Sequence, residues 1–98
     1  CAARGAQNSF VRAAGLELAA NNIQLNAIGQ NYVLNNVYYP PGIEANEKMQ
    51  KHVRLNVPTG ELASSDETAE LALYLAGGNS RHMVGQVLPF AGGWATNA

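Results

Sequence analysis

Few side chains in these 98 residues are equipped for chemistry. His52 and His82 are far apart in the chain, and neither has the close spacing to further ligands that a metal ion needs. No metal site is expected. Cys1 is the single cysteine, so no internal disulfide framework can form. Arg4 rides on an alanine-rich stretch and, by residue type alone, reads as a solvated cation on a helix surface. What remains is the run from Gly29 to Gly42, which holds Asn31, Tyr32, Val33, Tyr38 and Tyr39 and closes on Pro40-Pro41-Gly42. Each tyrosine there has two readings. Tyr32 either fills a core at a strand end or faces a ligand, and Tyr38 and Tyr39 either anchor a proline-rich loop or wall a pocket.

The elements around that run follow from periodicity. Residues 1–20 read as a helix with Ala6, Phe10, Ala13, Ala14 and Leu18 near helical spacing, stopping at Asn21-Asn22. Residues 23–28 alternate apolar and polar and read as a strand. The 29–42 run is then a long loop after a strand, where α/β proteins commonly place function. Residues 43–56 carry charge with a partial apolar face of Met49, His52, Val53 and Leu55, and read as a surface or lid helix. Ser64 and Glu67 form a capping box for a helix over 64–77. That helix carries Ala69, Ala72, Leu73 and Ala76 on one face and should end in a left-handed cap at Gly77-Gly78. Residues 84–90 read as a last strand, with Pro89 confining it to a sheet edge or end. Strands joined by helical crossovers imply a parallel sheet covered on both faces. Two strands make a poor sheet. Together with a helix that opens uncapped at Cys1, this leads to the expectation of a carboxyl-terminal part of a longer chain.

Composition excludes more than it selects. A net charge of −1 and six dispersed Lys/Arg give no electrostatic footprint for nucleic acid. Apolar runs are only a few residues long, so no membrane span is expected. A lone cysteine fits a reducing cytoplasm.

In this order the motifs resemble the short-chain dehydrogenase/reductase superfamily. Arg4-Gly5-Ala6 through Gly15-Leu16-Glu17-Leu18-Ala19 is similar to its catalytic helix, and Ile23-Gln24-Leu25-Asn26-Ala27-Ile28 to its following "I-x-V-N-x-I" strand. Val57-Pro58, Ser64-x-Asp66-Glu67 and Leu73-Tyr74-Leu75-Ala76 resemble its next helix. Gly85-Gln86-Val87 and Gly92-Gly93 resemble its closing "G-Q…G-G". The resemblance implies an α/β fold, the C-terminal part of a Rossmann-like doubly wound parallel sheet. It also places Arg4 at the basic position of a Tyr-x-x-x-Lys pair whose tyrosine would fall one place before Cys1. Residues four apart share a helix face, and a cation there favours the tyrosinate. Arginine does this while staying charged.

Arg for Lys, and Gly29-Gln30-Asn31-Tyr32-Val33 in place of the Pro-Gly that approaches a nicotinamide, make the chain resemble the halohydrin dehalogenases within that superfamily. These relatives use no cofactor. The resemblance then implies conversion of vicinal halohydrins to epoxides with release of halide, reversible with small anions. Ser and Tyr upstream would bind the substrate hydroxyl, and Arg4 would be the catalytic cation. Asn31, Tyr32, Val33 and Tyr39 would hold the halide, through backbone N–H groups and aromatic edges. Tyr38 and Trp94 would line the substrate pocket, although Trp94 by itself reads as a packing residue or subunit contact. The resemblance also implies a homotetramer or homodimer, with small residues of the first helix at another subunit. Two rivals remain: an NAD- or NADP-dependent oxidoreductase, and a non-catalytic member of the fold. A G-x-x-x-G-x-G turn upstream would favour the first, and the absence of a tyrosine before Cys1 the second. The 98 residues alone should be inactive, because the base lies outside them.

Overall fold

The computed structural model describes residues 1–31, 33–34 and 42–93. Tyr32, Tyr38, Tyr39 and Trp94 lie outside the described residues. Two compact units form, one from Cys1–Gly29 and Ala72–Leu88, the other from Gln30–Leu71 and Pro89–Ala98.

Helix α1 runs Ala2–Ala19. It ends in a Schellman arrangement: Ile23 N–H donates to Leu18 O at 3.2 Å and Asn22 N–H to Ala19 O at 3.0 Å. Asn22 takes the left-handed conformation (φ 60°) that this cap requires, which asparagine tolerates better than most residues. Strand β1 is Ala27–Gln30, not 23–28. Residues 23–26 are held instead by side chains and by Gly85 N–H donating to Leu25 O at 2.9 Å. Gln24 Nε2 donates to Ser80 O at 2.6 Å, and Asn26 Nδ2 to Met83 O at 2.9 Å while its Oδ1 accepts from Gln86 N–H at 3.0 Å. The ladder proper begins only where both backbones run straight.

Helix α2 is Glu47–Asn56, preceded by a separate 3₁₀ turn Ile43–Ala45. The single helix expected over 43–56 is broken at Asn46. That residue is extended, and its side chain accepts from Met49 N–H at 3.2 Å, an N-cap that starts a new helix. Helix α3 is Ser65–Ala76. Its start closes reciprocally, with Glu67 N–H donating to Ser64 Oγ at 3.3 Å and Ser64 N–H to Glu67 Oε1 at 3.1 Å. Its end differs from expectation, because Gly77 is extended (φ −83°, ψ 167°) rather than left-handed. The Ser80 hydroxyl, 1% exposed, lies 2.9 Å from Leu75 O and 3.1 Å from Gly77 O, and so satisfies the terminal carbonyls in place of a glycine cap.

Strand β2 is Val87–Phe90, shorter than the expected 84–90 because Gly85 adopts φ 66° and turns the chain. Ala27 N–H donates to Gln86 O at 2.9 Å and Asn31 N–H to Phe90 O at 3.1 Å, so the partners advance together and β1 and β2 are parallel. Since the carbonyls of Gln86 and Phe90 face β1, alternation turns the Pro89 nitrogen to the far side, where its missing N–H costs this ladder nothing.

Apolar spacing located the buried faces only in part. On α1, Val11 and Gly15 are buried, whereas Phe10 is 66% exposed. The inward stripe is Asn8, Val11, Ala14, Gly15 and Leu18, which keeps Ala14 and Leu18 of the expected set but not Ala6, Phe10 or Ala13. Gly15 decides this, as a β-carbon there would stand 2.5 Å from Gly85 Cα. On α3 the less exposed stripe is Thr68–Leu71–Leu75, not Ala69–Ala72–Leu73–Ala76. In the second unit the core is Val53 and Val57, with Met49 and Leu62 packed against them. Leu55 stays exposed.

Candidate functional site

In open parallel sheets, ligands meet the chain beyond the carboxyl ends of the strands. Here those ends are Asn31 after β1 and Ala91–Gly93 after β2, all in the second unit. Asn31 is half-buried, and its backbone N–H is taken by Phe90 O. Val33 is buried (6% exposed) and forms a parallel bridge with Ala63, while Leu34 N–H donates to Ala63 O at 2.9 Å. The backbone donor of Asn31 is therefore engaged in the β1–β2 ladder. Tyr32, between these two residues, and Tyr39 fall outside the described residues, as do the pocket candidates Tyr38 and Trp94.

Two clefts flank the segment Thr59–Ala63. One, of about 520 Å³, is lined by Thr59, Ala63, Glu67 and the chain from Pro89 to Gly93. The other, about 330 Å³, lies between α2 residues Gln50, Val53 and Arg54 and the stretch Leu34 and Gly60. Glu61 and Leu62 line both. The wall at Gly92 and Gly93 is built by left-handed backbone (φ 61° and 91°) laid against Val57, Pro58 and Thr59. A β-carbon at Gly92 would come within 2.5 Å of Thr59 Oγ1, and Thr59 N–H donates to Gly92 O at 3.1 Å. The clefts thus offer an apolar floor with a hydroxyl, a carboxamide, a guanidinium and carboxylates at the rim. Glu67 is already committed to the α3 cap.

Sequence reasoning singled out none of Thr59, Glu61, Leu62 or Gly92 as site residues. The available signals were the turn residues Pro58 and Gly60 and the Gly92-Gly93 pair, which mark backbone bends without saying what they enclose.

Arg4 belongs to the first unit, in the first turns of α1. It is exposed, and its Nη1 donates to Gln7 Oε1 at 3.0 Å, a contact between neighbouring helix turns. Arg4 and Val11 are seven residues apart, and Arg4 and Gly15 eleven. At about 100° per residue, all three lie within roughly 20° of one face. The candidate cation therefore sits on the same stripe that α1 buries further along.

Among the described residues no group of three or more His, Cys, Asp or Glu could hold a metal ion. No described helix is long and apolar enough to cross a membrane.

A family profile described as enoyl-(acyl carrier protein) reductase matches residues 1–95. A solved structure described as a dehalogenation enzyme is 38% identical, with a TM-score of 0.88, over 96% of this chain and 38% of its own. The uncharacterized oxidoreductase YmfI of Bacillus subtilis (strain 168) is 30% identical over 94% of this chain and 36% of its own length. The 3-oxoacyl-(acyl-carrier-protein) reductase of Chlamydia trachomatis serovar D is 29% identical over 96% of this chain and 36% of its own. The chain spans little more than a third of the length of these relatives.

Proposed function

The chain belongs to the enoyl-(acyl carrier protein) reductase family of the short-chain dehydrogenase/reductase superfamily, with the Rossmann-like α/β fold of that superfamily, and we propose that it is the carboxyl-terminal part of a cofactor-independent halohydrin dehalogenase. The observation that carries this reading is the likeness to the dehalogenation enzyme, whose 38% identity exceeds the 30% and 29% of the oxidoreductase relatives. Arg4, where an ordinary reductase would carry lysine, supports it.

In the proposed reaction a tyrosinate, one position before Cys1, accepts the proton of the substrate hydroxyl. The resulting alkoxide attacks the neighbouring carbon, forming the C–O bond of the epoxide as the carbon–halogen bond breaks. The halide leaves with the bonding pair. Arg4, one helix turn from that tyrosine, stabilises the anionic phenolate and keeps it basic but populated at working pH. Asn31, Tyr32, Val33 and Tyr39 are proposed to surround the departing halide, with Tyr38 and Trp94 around the substrate. The enzyme is proposed to act in the cytoplasm as a homotetramer or homodimer.

The alternative, an NAD- or NADP-dependent oxidoreductase, is favoured by the names of the two curated relatives. A G-x-x-x-G-x-G dinucleotide turn upstream of these residues would support that alternative.

The test compares halide release by the parent enzyme with release by Arg4→Ala and Tyr32→Ala. The reading expects both variants to be slowed, Arg4→Ala in turnover and Tyr32→Ala in halide affinity as well. Unchanged halide release in both would overturn it.

A further inference from the structure

We propose that Gly15 is a positioning residue for Arg4, acting through its backbone contact with Gly85; the proposal rests on Arg4 having the role given above. The first unit brings the two glycines together without any intervening side chain. A β-carbon at Gly15 would stand 2.5 Å from Gly85 Cα, 2.7 Å from Gly85 N and 3.2 Å from Leu25 O. All three are backbone atoms, so no side chain can swing away to make room. The turn that receives α1 is itself fixed. Gly85 N–H donates to Leu25 O at 2.9 Å, and Asn26 clamps the same turn through Met83 O and Gln86 N–H. Gly85 has φ 66°, and a β-carbon there would lie 3.2 Å from Arg12 O, so the contact is closed from the turn's side too.

The contact lies on the face that carries the chemistry. Arg4 and Gly15 are nearly eclipsed along α1, about 16 Å apart at ~1.5 Å per residue. The proposed tyrosine, four residues before Arg4, shares that face as well. α1 therefore works as a rigid rod whose reactive end is set by how closely its other end can approach the 83–86 turn. Ordinary van der Waals separation between a methyl and backbone carbon is about 3.5–4 Å. A methyl at Gly15 must then lift α1 by roughly 1 Å, a displacement that can cost about 10²-fold in rate when it falls on reacting groups.

The test is made in the parent enzyme with Gly15→Ala, with Gly78→Ala as the same change in open space. Gly15→Ala should lower kcat about 10²-fold with KM within twofold, and shift the acid limb of the pH–rate profile upward as the cation moves from the phenolate. Gly78→Ala should leave all three unchanged. In an Arg4→Ala background, Gly15→Ala should cost little more. A fully additive loss, or a lower melting temperature with kcat and the pH profile intact, would make Gly15 merely structural and overturn the proposal. Should Gly15→Ala fail to fold, Gly85→Ala, whose nearest contact is longer (3.2 Å) but whose φ of 66° adds backbone strain, is read in the same cycle against Arg4→Ala, and additivity there counts equally against it. A crystal structure of either variant reads the shift of α1 without reference to activity. If Arg4→Ala by itself leaves the rate untouched, the assigned role of Arg4 has failed, whatever the helix does.

Discussion

Arg4 donates to Gln7 and is otherwise open to solvent, so its removal should barely touch stability. Arg4→Ala is expected to cut kcat of the parent enzyme by about 10²-fold or more, the usual scale for losing support of an acid–base group, while the melting temperature stays put. Arg4→Lys keeps the charge but not the planar fork, and should recover only part of the rate. Steady-state kinetics alongside thermal unfolding reads both. The core makes the opposite prediction. Val53 is 2% exposed and packs with Val57, Met49 and Leu62. Val53→Ala should therefore cost about 2–3 kcal/mol of unfolding free energy, measurable by urea titration. At this scale legibility was uneven. The Ser64–Glu67 pair was readable because both partners lie within one turn. The role proposed for Arg4 rests on resemblance alone, since its own contacts are those of any surface arginine. Thr59 and Glu61 were not readable, because their clefts exist only once residues 33–34 and 89–93 come alongside.

The elements turn on caps and glycines. Asn46 divides what periodicity presents as one helix: it is extended, and its side chain accepts from Met49 N–H as an N-cap. Asn46→Ala should cost about 1 kcal/mol and loosen the start of α2, visible as faster amide exchange at Met49. Gly92 sits at φ 61° against Thr59 and Val57. Gly92→Ala should destabilise by at least about 1–2 kcal/mol from backbone conformation alone, with the contact adding to it; a melting curve shows whether it does. The misplaced helix faces differ in cause. Apolar spacing favours Phe10 and Leu73, but both are exposed, while α1 turns inward on a glycine and α3 on the Thr68 stripe. Periodicity sees side chains, whereas α1 is seated by backbone on backbone. The left-handed cap expected at Gly77 failed for a similar reason, as a hydroxyl three residues on took the carbonyls first.

At the scale of the molecule, a parallel sheet of two strands among the described residues and exposed Phe10, Leu16, Leu55 and Leu73 leave much apolar surface facing water. Two strands alone are marginal, and such surface invites association. The 98 residues expressed alone should bind a hydrophobic dye and release no halide from a halohydrin; activity in them would refute the placement of the base outside the chain. The fold class was legible because helix, strand and cap signals occur in a fixed order along the chain. The chemistry was less so, because the groups proposed for it are one cation, a loop and residues expected upstream. The most direct measurement is halide release from a vicinal halohydrin by the parent enzyme with no nucleotide added. The account predicts stoichiometric halide and epoxide at a rate that NADH or NADPH does not change. No halide release, together with carbonyl reduction that consumes NADH or NADPH, would contradict it.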